Sequence, residues 1–140
     1  MGTAPELIRI DPDVSSAVNA IQMASEMLNL ANEKMGNKDF CGSFNEAKNA
    51  IRAAASAPLF RDGCVAQTFE ATVSYLENAY PKRFPIKDWE LIERTVSGEG
   101  TGLLNMIIRS LGKDAGEKEA RFALHTASEF LEKAKHLVFI

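Results

Sequence analysis

One short stretch of the chain combines positive charges with aromatic rings. Lys82, Arg83 and Lys87 form a basic cluster, and Phe84 and Trp89 lie beside them. Such residues can bind a phosphate backbone while an aromatic face stacks on a base. In the alternative interpretation, a proline-rich connection carries solvated lysines and the bundle covers its aromatic side chains. The cluster is a candidate nucleic-acid or nucleotide contact, formed by Lys82, Arg83, Lys87 and Trp89.

Arg121 and His125 are a second pair of residues whose side chains could take part in a reaction. They are four residues apart, so they share one face of a helix. A histidine on a helical bundle is also typical of phosphotransfer domains. Those domains need a lysine three places after the histidine and a small residue four places after it, whereas "TASEF" follows His125 and puts Glu129 at the fourth place. We expect both side chains to point to water.

The two cysteines, Cys41 and Cys64, are expected to be thiols. Each lies near the start of a predicted helix, so on the order of 20 Å separates them, whereas bonded cysteines have Cα atoms within about 7 Å. No histidine or carboxylate accompanies them at the tight spacing of a zinc site. Cysteines that form no disulfide favour a cytoplasmic protein, and the sequence predicts neither a metal nor an organic cofactor.

Amphipathic helices must position these residues. The first predicted helix runs from Asp11-Pro12-Asp13 to about Met35, and the second from about Asp39 to Ala57 before Pro58. The third covers Val65 to Tyr80, after the tight connection Asp62-Gly63, and the fourth covers Lys87 to Val96. A further segment covers Leu103 to Leu111 before Gly112, and the last helix begins at about Asp114. A loop is predicted at Ser97 to Gly102, where three glycines lie close together. No strand pattern competes with these helices.

The last helix carries the clearest pattern. Its apolar residues recur at helical spacing, with small side chains alternating with large ones: Ala120, Ala123, Leu124, Ala127, Phe130, Leu131, Ala134, Leu137 and Val138. Another helix can approach closely at each alanine while the larger side chains fill the gaps. This pattern predicts a packed helical bundle.

Composition limits the class of protein. The chain has 140 residues, 46% of them hydrophobic, which suits one domain over 1–140 with a core at about 14–138. Its formal charge is −3, so no overall positive field would attract a polyanion, and a nucleic-acid contact would need a local patch. No apolar run approaches the roughly 20 residues of a membrane span.

The order of these elements resembles the HEPN domains, the higher-eukaryote and prokaryote nucleotide-binding helical bundles. Three stretches carry the resemblance: the alanine-rich "NEAKNAIRAAASAPL" leading into "RDG", then "QTFEATVSYLENAY", and the closing "ARFALHTASEFLEKAKHLV". The resemblance covers roughly Val14 to Val138. It implies an all-α, antiparallel up-and-down bundle of about five helices that acts as a homodimer.

Active HEPN ribonucleases carry an arginine followed, four to six residues later, by a histidine. The arginine can stabilise phosphate charge, and the histidine can move the proton of the attacking 2'-hydroxyl. The resemblance places Arg109 at the arginine position, but "SLGKDA" follows it and no histidine occurs through Ala115. Asp114 has the spacing of a base, although an ordinary carboxylic acid, with a pKa of about 4, suits proton transfer at neutral pH poorly.

The leading hypothesis is therefore a non-catalytic HEPN-like protein that binds RNA, a nucleotide or a partner protein. The family's partners include small nucleotidyltransferases in toxin–antitoxin pairs. One alternative is a divergent, metal-independent endoribonuclease that uses Arg109 and Asp114. A second alternative is a scaffold for other proteins. The homodimer is also favoured by Met23, Met27 and Leu30, which lie outside the main apolar stripe of the first helix.

Overall fold

The computed structural model describes the backbone of residues 7–96 and 113–139, with their side chains except for those of residues 94–96 and 113–115. The described elements, in chain order, are β1 (Leu7–Arg9), α1 (Val14–Gly36), α2 (Phe40–Asp62), β2 (Cys64–Ala66), α3 (Phe69–Ala79), α4 (Ile86–Val96) and α5 (Lys113–Val138). The described residues form an all-α bundle, as the sequence predicts, and add a minor two-stranded sheet.

Side-chain caps fix where the first two helices begin. The carboxylate of Asp13 accepts hydrogen bonds from the backbone N–H of Ser16 at 2.9 Å and from its hydroxyl at 2.7 Å. Asp39 accepts from the backbone N–H of Gly42 at 2.9 Å. The two bonds from backbone N–H groups satisfy donors that the first helical turn leaves without a backbone partner. Only residues 37–39 join the two helices, so α1 and α2 run antiparallel.

The predicted end of the second helix at Pro58 is wrong, because α2 continues through the proline to Asp62. A proline inside a helix costs about 3 kcal/mol, since it removes one backbone hydrogen bond and crowds the preceding turn. Burial offsets that cost here: Pro58 is fully buried, and Leu59 is only 2% exposed. The helix ends instead at Gly63, whose φ of 91° is the left-handed conformation that terminates helices.

The prediction that the chain has no strands is also wrong. β1 and β2 pair antiparallel, with Ile8 opposite Val65. The third predicted helix consequently starts later than Val65, at Phe69, where the hydroxyl of Thr68 accepts from the backbone N–H of Ala71 at 3.1 Å. Strands of three residues are too short to show a period of two in the sequence.

The core lies where α2 packs against both α1 and α5. Alanines from all three helices are fully buried in this layer, and they let the helix backbones approach closely: Ala17, Ala24 and Ala31 on α1, Ala47, Ala54 and Ala55 on α2, and Ala120, Ala127 and Ala134 on α5. Phe130 fills the space between them and is fully buried. The alanine stripe of the last helix is thus confirmed as its buried face.

The two short helices form one edge of the bundle. α3 packs against α2 and β2, and α4 packs against α5. The predicted loop at Ser97 to Gly102 and the predicted segment from Leu103 to Leu111 lie outside the described residues. Within the described ranges, every helix is too short or too polar to cross a membrane.

Candidate functional site

The predicted basic cluster spans the turn between α3 and α4, which carries Lys82 and Arg83, and the first turn of α4, which carries Lys87. Backbone hydrogen bonds close this turn: the N–H of Arg83 donates to the carbonyl of Tyr80 at 3.1 Å, and the N–H of Ile86 donates to that of Phe84 at 2.8 Å. The Phe84 side chain is buried, with its ring centre 5.4 Å from that of Phe130 in the core. Together with Pro81 and Pro85, this anchor fixes the turn rigidly on the bundle.

Three positive charges project from this turn, which we call the basic turn (residues 81–87). Lys82, Arg83 and Lys87 are all exposed. The backbone of Lys82 has a φ of 63°, a left-handed conformation that costs a residue with a β-carbon about 1 kcal/mol. None of the three forms an ion pair with a carboxylate of residues 7–93 or 116–139. The turn therefore presents three exposed cations that form no ion pair among the described side chains.

A shallow groove of about 450 Å³ opens beside the basic turn. Lys82 and Lys87 line it, together with the acidic residues Glu77 and Asp88. The formal charges of these four residues cancel, so the groove is not a site for a long polyanion. Arg83 is exposed and is not among the residues that line this groove.

Trp89 lies apart from the predicted basic site. It is only 4% exposed, and it lines a second groove together with Arg52 and Phe69. Lys87 and Trp89 are two residues apart on α4, which rotates their side chains by about 200° around the helix. The structure thus brings Lys82 and Lys87 to one groove but does not place the Trp89 ring beside them.

The second groove has a volume of about 410 Å³ and lies between α2, α3 and α4. Four glutamates line it, Glu70 and Glu77 from α3 and Glu90 and Glu93 from α4, and we call it the acidic groove. Its aromatic wall consists of Phe69 and Trp89, whose ring centres are 4.8 Å apart in an edge-to-face arrangement. In the part of the chain that the structure describes, no cluster of acidic, histidine and cysteine side chains is arranged to hold a metal ion.

Arg52 occupies the aromatic wall of the acidic groove. Its guanidinium carbon lies 5.7 Å from the ring centre of Phe69 and 5.6 Å from that of Trp89. One guanidinium nitrogen lies 3.9 Å from a carboxylate oxygen of Glu93. Sequence inspection missed this arrangement, because Arg52 looks like any solvated residue of an alanine-rich helix. The seven-residue spacing of Glu70 and Glu77 was the one available signal that α3 has an acidic face.

A polar cluster lies where β2, α2 and α3 meet. The hydroxyls of Tyr75 and Tyr80 both donate to one carboxylate oxygen of Asp62, at 2.7 and 2.5 Å. Burial and the bond to Asp62 raise the pKa of Tyr80 to about 12 and raise that of Tyr75 still further. Burial also raises the pKa of the Cys64 thiol. The two hydrogen bonds to Asp62 link the end of α2 to α3 and to Tyr80 at the end of α3.

The remaining predicted residues fall into two groups. Arg109 lies outside the described residues, and Asp114 belongs to the first turn of α5, with its side chain outside the described set. Arg121 and His125 are exposed, as expected. The guanidinium of Arg121 binds Glu117 at 2.5 Å, and the imidazole of His125 lies 3.9 Å from Glu129.

The two cysteines are thiols that do not form a disulfide, as predicted. Cys41 is exposed at the start of α2, and Cys64 is buried in β2.

Comparison of this chain with protein-family models, with curated proteins and with solved structures finds no match.

Proposed function

We propose that this chain is a cytoplasmic, HEPN-like bundle without catalytic activity, and that it binds a phosphate-bearing ligand, a nucleotide or a short stretch of RNA, through the basic turn. The observation that carries this proposal is the set of three exposed cations at Lys82, Arg83 and Lys87, which form no ion pair with a carboxylate of residues 7–93 or 116–139. Lysine and arginine side chains bind carboxylates and phosphates strongly, and a phosphate is therefore the ligand group that we assign to this turn.

The rigidity of the turn supports the same function. A flexible loop loses conformational entropy when it closes on a ligand, which lowers affinity. Here two prolines, the backbone bonds at Arg83 and Ile86, and the buried Phe84 ring already hold the turn in place. Lys82 has a φ of 63° within the same turn. Binding therefore requires little reordering of the backbone.

The charge balance of the groove sets the strength expected of this binding. Because Glu77 and Asp88 offset Lys82 and Lys87 within the groove, only a few phosphates can be neutralised. For a single strand that contacts three phosphates, the logarithm of the binding constant should fall with the logarithm of salt concentration with a slope of about −2. A steeper slope would point to a longer binding surface than the basic turn provides.

The direct test is fluorescence anisotropy with a labelled single-stranded RNA of about ten nucleotides, with ATP as competitor, in EDTA. The triple variant K82Q/R83Q/K87Q should lose binding. The matched control is K38Q/K118Q/K133Q, which neutralises three exposed lysines elsewhere on the bundle and should bind as the natural protein does. Equal loss in both triple variants would mean that only net charge matters, and the proposal would fail. Competition by ATP would identify a nucleotide site; RNA binding without such competition would identify an RNA site.

The same incubation tests whether the protein is catalytic. We expect the RNA to remain intact in EDTA over hours. Cleavage that disappears in Arg109→Ala would instead establish the divergent endoribonuclease, with Asp114 as the first candidate for its base.

The family resemblance adds a homodimer and a nucleotidyltransferase-type partner to the proposal. Met23 and Leu30 support a protein contact on α1, because they are 51% and 39% exposed and lie seven residues apart on one face. We expect M23E/L30E to lower the mass measured by sedimentation velocity from dimer to monomer. The control Q22E/N29E, which adds the same charge at the same spacing on α1, should remain dimeric.

A further inference from the structure

The groove beside the basic turn offers more surface than a phosphate group uses. Lys82 and Lys87 are the only positively charged residues that line it. The larger part of its lining is apolar or aromatic: Tyr80, Pro81, Phe84, Pro85 and Ile86. Small-molecule sites combine such an apolar lining with a few charged groups, in volumes of roughly 300–1,000 Å³. A volume of about 450 Å³ therefore leaves room for an apolar group attached to the phosphate.

Two aromatic side chains line this groove, and they differ in their access to a ligand. Phe84 is only 7% exposed, and its ring packs against that of Phe130 in the core. Tyr80 is half-buried, so part of its surface remains open. Trp89, which sequence analysis grouped with the cations, lines the acidic groove instead. Tyr80 is therefore the aromatic residue available to a ligand that the lysines of the basic turn hold.

Hydrogen bonds at both ends of Tyr80 fix its position. Its hydroxyl donates to a carboxylate oxygen of Asp62 at 2.5 Å, which links the side chain to the end of α2. Its backbone carbonyl accepts from the N–H of Arg83 at 3.1 Å, which joins the residue to the basic turn. A side chain held in this way loses little conformational entropy when a ligand stacks on it, and such preorganisation favours binding.

A nucleobase is the group that matches an aromatic ring beside lysines. Every base has a π-face that stacks on an aromatic side chain, while positive charges bind the phosphates of the same strand. Lys82 follows Tyr80 by two residues, so the ring and the first cation belong to one short stretch of chain. A phosphate without a base would leave the apolar lining of the groove in contact with water, whereas a base would cover it.

We infer that the ligand of the basic turn carries a nucleobase and that this base stacks on Tyr80, with Asp62 as the residue that positions the ring. The inference rests on the proposed binding of a phosphate-bearing ligand at the basic turn. It adds the residue that contacts the base, and it ranks base-bearing ligands above inorganic phosphate and sugar phosphates.

The experiment compares two ligands that differ only in the presence of bases. One is the labelled RNA that tests the basic turn, and the other is a strand of the same length and label that keeps the ribose phosphates and lacks the bases. Fluorescence anisotropy should show that the natural protein binds the RNA about tenfold more tightly, which lies within the range for one stacked base.

Three variants of the tyrosines locate the source of this preference. Tyr80→Leu should abolish it and leave the affinity for the base-free strand unchanged, because the lysines remain. Tyr80→Phe keeps the ring and loses the bond to Asp62, so it should retain the greater part of the preference. Tyr75→Leu is the matched control: it removes a ring whose hydroxyl binds the same oxygen of Asp62 but which does not line the groove, and it should keep the full preference. Circular dichroism checks that each variant is folded.

A second measurement uses the natural protein and so does not depend on the folding of any variant. RNA that contains iodouridine forms a covalent bond with a stacked aromatic ring when it is irradiated, and mass spectrometry then identifies the attached residue. We expect the attachment at Tyr80. Attachment at Trp89 instead would overturn the inference.

The outcomes separate the stacking of a base from the binding of phosphate. Equal binding of both strands by the natural protein, with loss of both in K82Q/R83Q/K87Q, would overturn the role of Tyr80 and leave the phosphate site in place. An equal loss of preference in Tyr80→Leu and Tyr75→Leu would also overturn it, because the shared carboxylate and not the groove would then be responsible. A loss in Tyr80→Phe as complete as in Tyr80→Leu would show that the ring does not act by stacking. Binding of neither strand would refute the phosphate site and the inference together.

Discussion

The guanidinium carbon of Arg52 lies 5.6 Å from the ring centre of Trp89, a contact between α2 and α4. The same guanidinium lies 5.7 Å from Phe69 on α3, so one side chain joins three helices at the edge of the bundle. A cation over an aromatic ring contributes about 0.5–1 kcal/mol at a partly exposed site. An exposed ion pair contributes no more than that and often less. The two ring contacts of Arg52 should therefore contribute more to the free energy of unfolding than its contact with Glu93 does.

This ranking can be measured. We expect Arg52→Gln to lower the free energy of unfolding by about 1 kcal/mol, because it removes both ring contacts. Glu93→Gln should lower it by less than about 0.5 kcal/mol. Urea unfolding should be followed by circular dichroism and not by fluorescence, because removing Arg52 changes the surroundings of Trp89 even in the folded protein. A larger loss for Glu93→Gln than for Arg52→Gln would show that the ion pair dominates.

Two glycines should respond oppositely to the same substitution. Gly63 has a φ of 91°, and a β-carbon there would lie 3.0 Å from the carbonyl oxygen of Ile10. Gly63→Ala should therefore lower the free energy of unfolding by about 1–2 kcal/mol. Gly36 is the last residue of α1 and has open space around it, so Gly36→Ala should raise the same quantity by a few tenths to about 1 kcal/mol. Thermal or urea unfolding of both variants tests this contrast, and destabilisation by Gly36→Ala would contradict it.

The long helices were predictable from sequence because their buried faces repeat over several turns. α5 is the clearest case: Ala120, Ala127 and Ala134 recur every seven residues, and all three are fully buried. Such periodicity follows from the geometry of a single helix, so it can be recognised without knowing which helices pack against it. Pro58 was misinterpreted because local rules treat proline as a helix end, whereas tertiary burial of Leu59 determines the outcome here.

The candidate sites were predictable only in part. The basic turn was recognised because its residues are neighbours in the chain. Trp89 was grouped with it for the same reason, although a helix that begins at Ile86 turns Lys87 and Trp89 to different faces. The position of Arg52 over Phe69 and Trp89 depends on the packing of three helices, and no spacing in the sequence encodes it.

The two thiols should differ strongly in reactivity. Cys41 is exposed, whereas Cys64 is 6% exposed and has a pKa raised by burial. Only the thiolate reacts with disulfide reagents, so a high pKa and poor access both slow the reaction. At pH 8, we expect Ellman's reagent to titrate one thiol quickly and the second only slowly. Cys41→Ser should remove the fast phase, and urea should make the remaining thiol react quickly. A fast phase that persists in Cys41→Ser would mean that the β1–β2 sheet opens readily.

The last prediction concerns alkaline pH and the tyrosines bound to Asp62. Tyr75 and Tyr80 are the only tyrosines of the chain, and both have a raised pKa in the folded protein, that of Tyr80 to about 12. In the unfolded chain a tyrosine titrates near pH 10. Above that pH the unfolded state loses protons that the folded state retains, so the free energy of unfolding must fall as the pH rises from about 10 toward 12.

Absorbance at 295 nm, which reports phenolate, tests this directly. In urea, both tyrosines should ionise near pH 10, whereas in the folded protein the absorbance should stay low at that pH and rise only as the protein approaches unfolding. Tyr80→Phe should be less stable than the natural protein at pH 8, because the hydrogen bond to Asp62 is lost. The difference should shrink above pH 10, since the variant has one ionisable tyrosine fewer to favour the unfolded state. A constant difference from pH 8 to pH 11 would show that Tyr80 ionises equally in both states.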